Sequence, residues 1–486
     1  MRRTWRCVAV ASCLGLVAAA CGGDDDDSSD ATEAPGATDA PAATDAPAAT
    51  AGTEGTEGTE GTTVTSSEET SETGETVDPA SIEFDIGVDE TTIKVGMLAD
   101  LSGAFAPIVR DVVAAQEVYW DDVNANGGIA GRQVELVIED NAYDVAQNVE
   151  KYAIVREDVA ILSQVTGSPH TAAIAQDMVD DDLIGIPLTW YSGWADPEIG
   201  QNVFETYTSY CIESMNAIQW IHDNRDVQTV AIASFPGEFG GDGAAGAAMA
   251  AEQLGLEVVY DGTGQVTPPS ADNPNPDQSA VVSQIVASNA DLVWAVVNPG
   301  ALSAIMSQAV GQGFTGLWSG NYPTFSFRLL GTELAPLLDE YFIVSAYIVS
   351  WGTDVPGMQD VVDKMTAARP ELPVSDAYIL GWTEAQLTQA ILEQAAANGD
   401  MTRAGIVAAA NEVTVDFDGL APTQTWAGDP NDYVVRESYL YDVSLETYNP
   451  VTRGEGEGNT GTELLEGPYT SPLAEDYVFE EPCYTG

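Results

Sequence analysis

The chain has 486 residues, with 77 Asp and Glu against 15 Lys and Arg, a formal net charge of −62 and a pI near 4.1. A surface this acidic repels phosphate backbones and anionic membrane surfaces, so nucleic acid is not expected as a partner. With His170 and His222 the only histidines and no Cys-x-x-Cys, a zinc site is not expected either, and nothing in the sequence asks for a metal or cofactor.

The elements begin with a processing segment. Arg2, Arg3 and Arg6 form a basic start, residues 8–20 are an apolar run too short to span a bilayer, and Ala18-Ala19-Ala20 precede Cys21. Residues 1–20 thus read as an export signal whose end resembles a lipobox. That resemblance implies a diacylglycerol on Cys21 and anchoring to the outer face of the bacterial cell membrane; the alternative is ordinary cleavage with Cys21 left as a free thiol. No other stretch of about 18 apolar residues occurs, so membrane contact is expected only through the lipid. Export also makes the cysteines readable. Cys7 and Cys13 leave with the signal, Cys21 is consumed, and Cys211 and Cys483 remain as a disulfide pair.

Residues 21–88 read as a tether. No basic residue occurs between Arg6 and Lys94, and the repeats Ala37 to Pro41, Ala43 to Pro47 and Thr53 to Gly61 are acidic and of low complexity. Such a segment buries no core and self-repels into an extended leash. Asp24 to Asp27 read as solvated carboxylates in preference to a cation site.

From Thr91 the texture changes to short apolar strands alternating with amphipathic helices, the pattern of parallel α/β architecture. Strands are expected at 93–98, 133–139, 159–163, 184–188, 229–234, 256–260 and 291–297. Val112, Ala115, Tyr119 and Val123 recur at helical spacing until Asn126-Gly127-Gly128 ends the helix, and further helices are expected at 213–223, 243–254, 278–288 and 301–312. This many units exceed one core, so the 89–486 region is expected to split into two lobes.

Thr92-Ile93-Lys94-Val95-Gly96, Leu101-Ser102-Gly103, the run Asn124 to Arg132 (N-A-N-G-G-I-A-G-R) and Val134 to Asp140 together resemble the branched-chain amino acid (Leu/Ile/Val) binding proteins of ABC importers. Phe239-Gly240, Leu380 to Ala385 and Val415 to Gly419 extend the likeness, which covers about 91–448. It implies a type I periplasmic binding fold: α/β, with two doubly wound parallel-sheet lobes joined by a three-strand hinge. Lobe one would hold 91–207 and 346–424, lobe two 209–344 and 427–486, with crossings near Thr206, Ser345 and Trp426. The Cys211–Cys483 bridge would then lie within lobe two and leave the hinge free.

In such sheets ligands sit beyond the carboxyl ends of strands, where helix N-termini offer backbone N–H groups. The resemblance places Thr166 and Ser168 on a ligand carboxylate, with Ser168 also read as a helix cap before Pro169. Ser192 and Gly193 would make the second contact, in a loop whose Trp190, Tyr191 and Trp194 suggest a bulkier ligand or, equally, packing beneath the loop. From the other lobe come Phe239 as an apolar lid, Asn298, Asn321 and Tyr322. Asn321 stands where the family has an acidic partner for the ligand's ammonium, which puts an α-amino acid in doubt; Glu205 is expected at the hinge.

The expected function is therefore a monomeric, exported solute-binding lipoprotein that captures a small polar molecule, a branched-chain amino acid or a related amino acid or amide, and delivers it to the permease subunits of an ABC importer. The alternatives are a surface sensor signalling through a partner, or a receptor for an aromatic or urea/amide-like compound. No nucleophile elbow or phosphate loop is present, so no enzyme activity is expected.

Overall fold

The computed structural model describes residues 81–455 and 457–486. The expected signal 1–20, the lipidated Cys21 and most of the tether lie outside the described residues. Where the tether is described, its expected end at 88 needs correcting. Ile82 and Val88 are buried, and Glu83–Phe84 pairs in parallel with Asp400–Met401. Ile82 and Val88 supply the buried apolar side chains that the acidic repeats lack, so the folded region begins by Ile82.

The first sheet contains β1 (Thr92–Ala99), β2 (Gln133–Asp140), β3 (Ile161–Thr166) and β4 (Gly185–Leu188), all parallel, in the order β2-β1-β3-β4. Its central strands are buried on both faces along most of their length, as a sheet covered by helices on both sides requires. Helix α1 (Ala106–Ala125) follows β1, α2 (Val145–Val155) follows β2, and the short α3 (Ser168–Ala172) follows β3. The N-A-N-G-G-I-A-G-R run is the joint between α1 and β2. Gly128, at φ +70, returns its N–H to Val123, and Asn124 bonds both backbone groups of Val134. It shapes a turn and touches no ligand space.

The second sheet repeats the wiring. Helix α4 (Tyr210–Asn224) enters it, and β5 (Thr229–Ser234), α5 (Gly237–Leu254), β6 (Glu257–Gly262), α6 (Ser279–Ser288), β7 (Leu292–Val296), α7 (Pro299–Gly311) and β8 (Leu317–Gly320) follow, in the parallel order β6-β5-β7-β8. In both sheets the order reverses beside the first strand, which is where a doubly wound sheet opens a crevice at its carboxyl ends.

A third, antiparallel sheet of β9 (Ile343–Ala346), β10 (Ser438–Val443) and β11 (Thr462–Tyr469) was not anticipated. After β9 the chain returns to lobe one with α8 (Met358–Ala368) and the long α9 (Ala377–Asn398), both packed on α1. The connecting segments run through 205–208, 345–347 and 424–435; Thr208 is bridged in parallel to Val435, and Trp426 Nε1 donates to the Glu205 carbonyl at 2.7 Å.

One expected boundary moves with consequence. The strand read at 159–163 runs at 161–166, because Gln164 and Thr166, read as loop, are buried and the Gln164 Nε2 donates to Thr166 Oγ1 at 2.9 Å. Thr166 therefore ends the strand, and Gly167, not Ser168, is the helix cap.

Candidate functional site

Between the carboxyl ends of the two sheets lies an apolar chamber of about 40 Å³, opening toward an outer cleft of about 680 Å³ that shares Phe105, Ile108 and Tyr143 with it. Lobe one contributes Phe105 at the head of α1, Tyr143 after β2, Thr166 to Ser168 at the carboxyl end of β3, and Trp190 after β4. Lobe two contributes Tyr210 at the start of α4, Phe239 in the first turn of α5, and Tyr322 after β8, and Tyr347 follows β9. The rings form a connected lining: Phe105 meets Phe239 edge-on across the lobes at 5.9 Å, Tyr210 lies 4.8 Å from Phe239, and Trp190 lies 4.2 Å from Tyr347. Such edge-on and tilted contacts suit the ring quadrupoles.

Backbone chemistry holds these rings in place. Asp100, buried after β1, accepts the N–H groups of Gly103 and Phe105, and Asp140 accepts those of Leu101 and Ala142 together with the Ser102 hydroxyl. Tyr143 sits at φ +53 and Tyr207, in a crossing segment, at φ +68, a region non-glycine residues seldom enter. Gly167 sits at φ +99, and a Cβ there would lie 2.5 Å from the His170 ring and 2.8 Å from that of Tyr143. Gly167→Ala is therefore expected to cost about 1–3 kcal/mol, read as a lower urea midpoint with unchanged slope; an unchanged midpoint would show the turn relaxes freely.

Among the described residues, no charged side chain lines the inner chamber. Its polar groups are hydroxyls and ring donors. Ser168 and Thr189 share a hydrogen bond that extends to the Tyr210 hydroxyl. Burial raises the Tyr143, Tyr210, Tyr322 and Tyr347 phenols above their ordinary range, so all four stay neutral donors. Two donors in the wall, Trp190 Nε1 and Tyr347 Oη, are buried without a protein partner. Behind Tyr143, the buried His170 has its pKa lowered to about 4 by desolvation and is neutral too.

Of the residues read from the sequence, Thr166, Ser168, Trp190, Phe239 and Tyr322 meet in this chamber. The others lie elsewhere, each for a reason. Asn321 turns away and donates to the Tyr210 carbonyl and to Glu213 Oε2, at 2.9 and 2.7 Å. Ser192 gives its hydroxyl to Asp242 and accepts the Cys483 N–H, and Gly193 is folded against the Tyr191 ring. Tyr191 packs edge-on to Trp194 and donates to the Tyr484 carbonyl at 2.7 Å. Asn298 caps α7, spans to the Ala104 carbonyl of lobe one at 2.9 Å, and lines the outer cleft. Phe105, Tyr143, Tyr210 and Tyr347 went unread; the first and third stand at helix starts, a usable signal, whereas Tyr143 and Tyr347 carry none.

Cys211 and Cys483 are joined in a disulfide with Cα atoms 6.4 Å apart. The tail is not confined to lobe two, however. Through Cys483 N–H to Ser192 and Tyr191 Oη to Tyr484 it also holds the loop after β4 in lobe one. Asp242 on α5 joins the same knot, accepting from Ser192 and from the Cys211 N–H at 3.1 Å. Among the described residues, no cluster of three His, Cys, Asp or Glu is placed to hold a metal, and no helix is long and apolar enough to cross a membrane.

Two α/β lobes meeting over a pocket at the ends of their parallel strands define a two-lobe ligand-capture protein. Residues 92–447 match the periplasmic binding protein family, and the chain belongs to it. Among solved structures, it resembles a fatty acid ABC transporter substrate-binding protein from Thermomonospora curvata, at 26% identity and a TM-score of 0.72, over 82% of this chain and 97% of that one. A branched-chain amino acid ABC transporter protein from Thermus thermophilus with bound valine has 18% identity and a TM-score of 0.60, over 79% and 97% of the two chains. The substrate-binding protein LivJ from Streptococcus pneumoniae, in complex with isoleucine, has 18% identity and a TM-score of 0.59, over 77% and 99%. A sequence search of curated proteins returns no match.

Proposed function

We propose that this protein is an extracytoplasmic, lipid-anchored receptor that closes its lobes on an amphipathic small molecule, an apolar chain or ring bearing one hydrogen-bond-accepting head such as a carboxylate, and presents it to the permease of an ABC importer. The observation that carries this reading is the inner chamber's wall: aromatic, without a charged side chain, and containing the unpartnered donors Trp190 Nε1 and Tyr347 Oη beside the Ser168–Thr189–Tyr210 hydroxyls. An acceptor head satisfies those donors, whereas an α-ammonium would be desolvated against no carboxylate. Glu213, the acid behind Asn321, has both oxygens engaged by Asn321, Tyr322 and Ser345. The Thermomonospora neighbour, described as a fatty acid receptor, supports the same direction.

A thermal-shift comparison of decanoate, phenylacetate and leucine tests it, since a ligand of the native state raises the melting temperature. Decanoate or phenylacetate is expected to shift the transition by several degrees and leucine not at all; a shift with leucine alone would overturn the reading. Ser168→Ala and Trp190→Phe, each removing one donor, are expected to weaken capture of the positive probe at least tenfold, since hydrogen bonds to charged groups contribute about 1.5–3 kcal/mol.

A further inference from the structure

A second cavity of about 240 Å³ lies at the hinge and shares no lining residue with the chamber or the outer cleft. Its walls come from the crossing segments around Phe204 to Ser209 and Gln424 to Val435, from the lobe-one loop after β4, and from Tyr477 and Phe479 of the tail. Much of that wall is aromatic, with Phe204 and Trp426 in contact at 6.3 Å.

Among the described residues, Glu205 is the one charged residue lining it. Its Oε2 is buried with no hydrogen-bond partner, and so is Oε1 of the neighbouring lining residue Gln424. The frame around them is fixed, because Trp426 Nε1 and Gln424 Nε2 both donate to the Glu205 carbonyl, at 2.7 and 3.1 Å. Two acceptors thus stand without a donor in a pocket that has aromatic faces and no cation, which is the complement of a positively charged ligand with an apolar body.

We infer that this hinge cavity is a second ligand site that takes a compact organic cation, an alkylamine or quaternary ammonium, against Glu205 and the Phe204–Trp426 wall. Burial and the nearby Asp242 charge raise the empty site's carboxyl above its ordinary range, and a cation seated against it acts in the opposite direction, favouring the carboxylate.

Calorimetry on the full chain with the disulfide intact tests this, with choline chloride as probe and the uncharged 3,3-dimethyl-1-butanol as its isostere, in 150 mM NaCl to screen the acidic surface. Choline is expected to bind with one-to-one stoichiometry and the isostere at least tenfold more weakly. Glu205→Gln should weaken choline at least tenfold, Phe204→Leu severalfold, both with melting temperatures close to wild type. Trp190→Phe, which alters the cleft alone, should leave choline binding intact, so this result and that of the cleft ligand screen stand or fall separately. No heat with choline, equal affinity for the isostere, indifference to Glu205→Gln, or loss of choline binding in Trp190→Phe would each overturn the site.

Discussion

Glu213→Ala is expected to destabilise the protein by about 3–5 kcal/mol, since three buried donors lose their acceptor at roughly 1–3 kcal/mol each, partly offset by relaxation. The carboxylate is fully buried on α4 and accepts from Asn321 Nδ2 at 2.7 Å, the Tyr322 N–H at 2.9 Å and the Ser345 hydroxyl at 2.9 Å. Asn321 in turn holds the Tyr210 carbonyl. One side chain therefore ties together Tyr210 and Tyr322, two walls of the chamber, and β9, the strand that leads to Tyr347. Urea unfolding should show the loss, and capture of the positive probe should weaken with it. A cost below about 1 kcal/mol would mean water replaces the carboxylate.

The same residue gives stability a pH dependence of definite sign. Burial raises Glu213 from 4.5 to about 7, against the three hydrogen bonds that lower it, and Asp242 is raised from 3.8 to about 7 in the same way. From the unfolded values up to about pH 7 the native state keeps protons that the unfolded chain has released, so stability falls as pH rises through that window and levels off above it. Unfolding across pH 4 to 8 should show this decline, with a smaller slope in Glu213→Ala.

These two acids also explain how far the sequence could be read. The alternation of apolar strands and helices from Thr91, and the N-A-N-G-G-I-A-G-R joint, are local patterns, and they placed the parallel strands of both sheets up to β7 to within a few residues. Ser192 and Asn321 are different. They stand at strand ends where polar side chains commonly meet ligands, but Asp242 and Glu213 face them from helices distant in the chain and use up their hydrogen-bonding capacity. Nothing local announces which acid of a helix is turned inward, as Glu213 is in α4 and Asp242 in α5. The chamber's aromatic wall was hidden for a similar reason: Phe105, Tyr210 and Tyr347 come from segments far apart, and only the folded topology gathers them. The antiparallel third sheet escaped notice because β11 alternates little and is mostly solvent-facing.

Removing the disulfide by Cys211→Ser with Cys483→Ser is expected to lower stability by about 2–4 kcal/mol, the usual range for a bridge closing a long loop; here the two residues are 272 positions apart. The chain-entropy effect alone would leave ligand affinity untouched, because it acts on the unfolded state. This bridge does more in the native state. It anchors the tail whose Cys483 N–H meets Ser192 and whose Tyr484 carbonyl accepts from Tyr191, both in lobe one, while Cys211 sits on α4 in lobe two beside Asp242. The tail is thus a strap across the lobes, and its contacts with Tyr191 and Ser192 favour the arrangement in which they face each other. Freeing it should shift the ligand-free population toward an open form and reduce apparent affinity by the fraction that remains closed, about three- to tenfold for the probe that binds the chamber. Wild-type protein treated with dithiothreitol should reproduce the double variant in both melting temperature and affinity. A lower melting temperature with unchanged affinity would mean that the tail stabilises lobe two alone and the hinge moves without it.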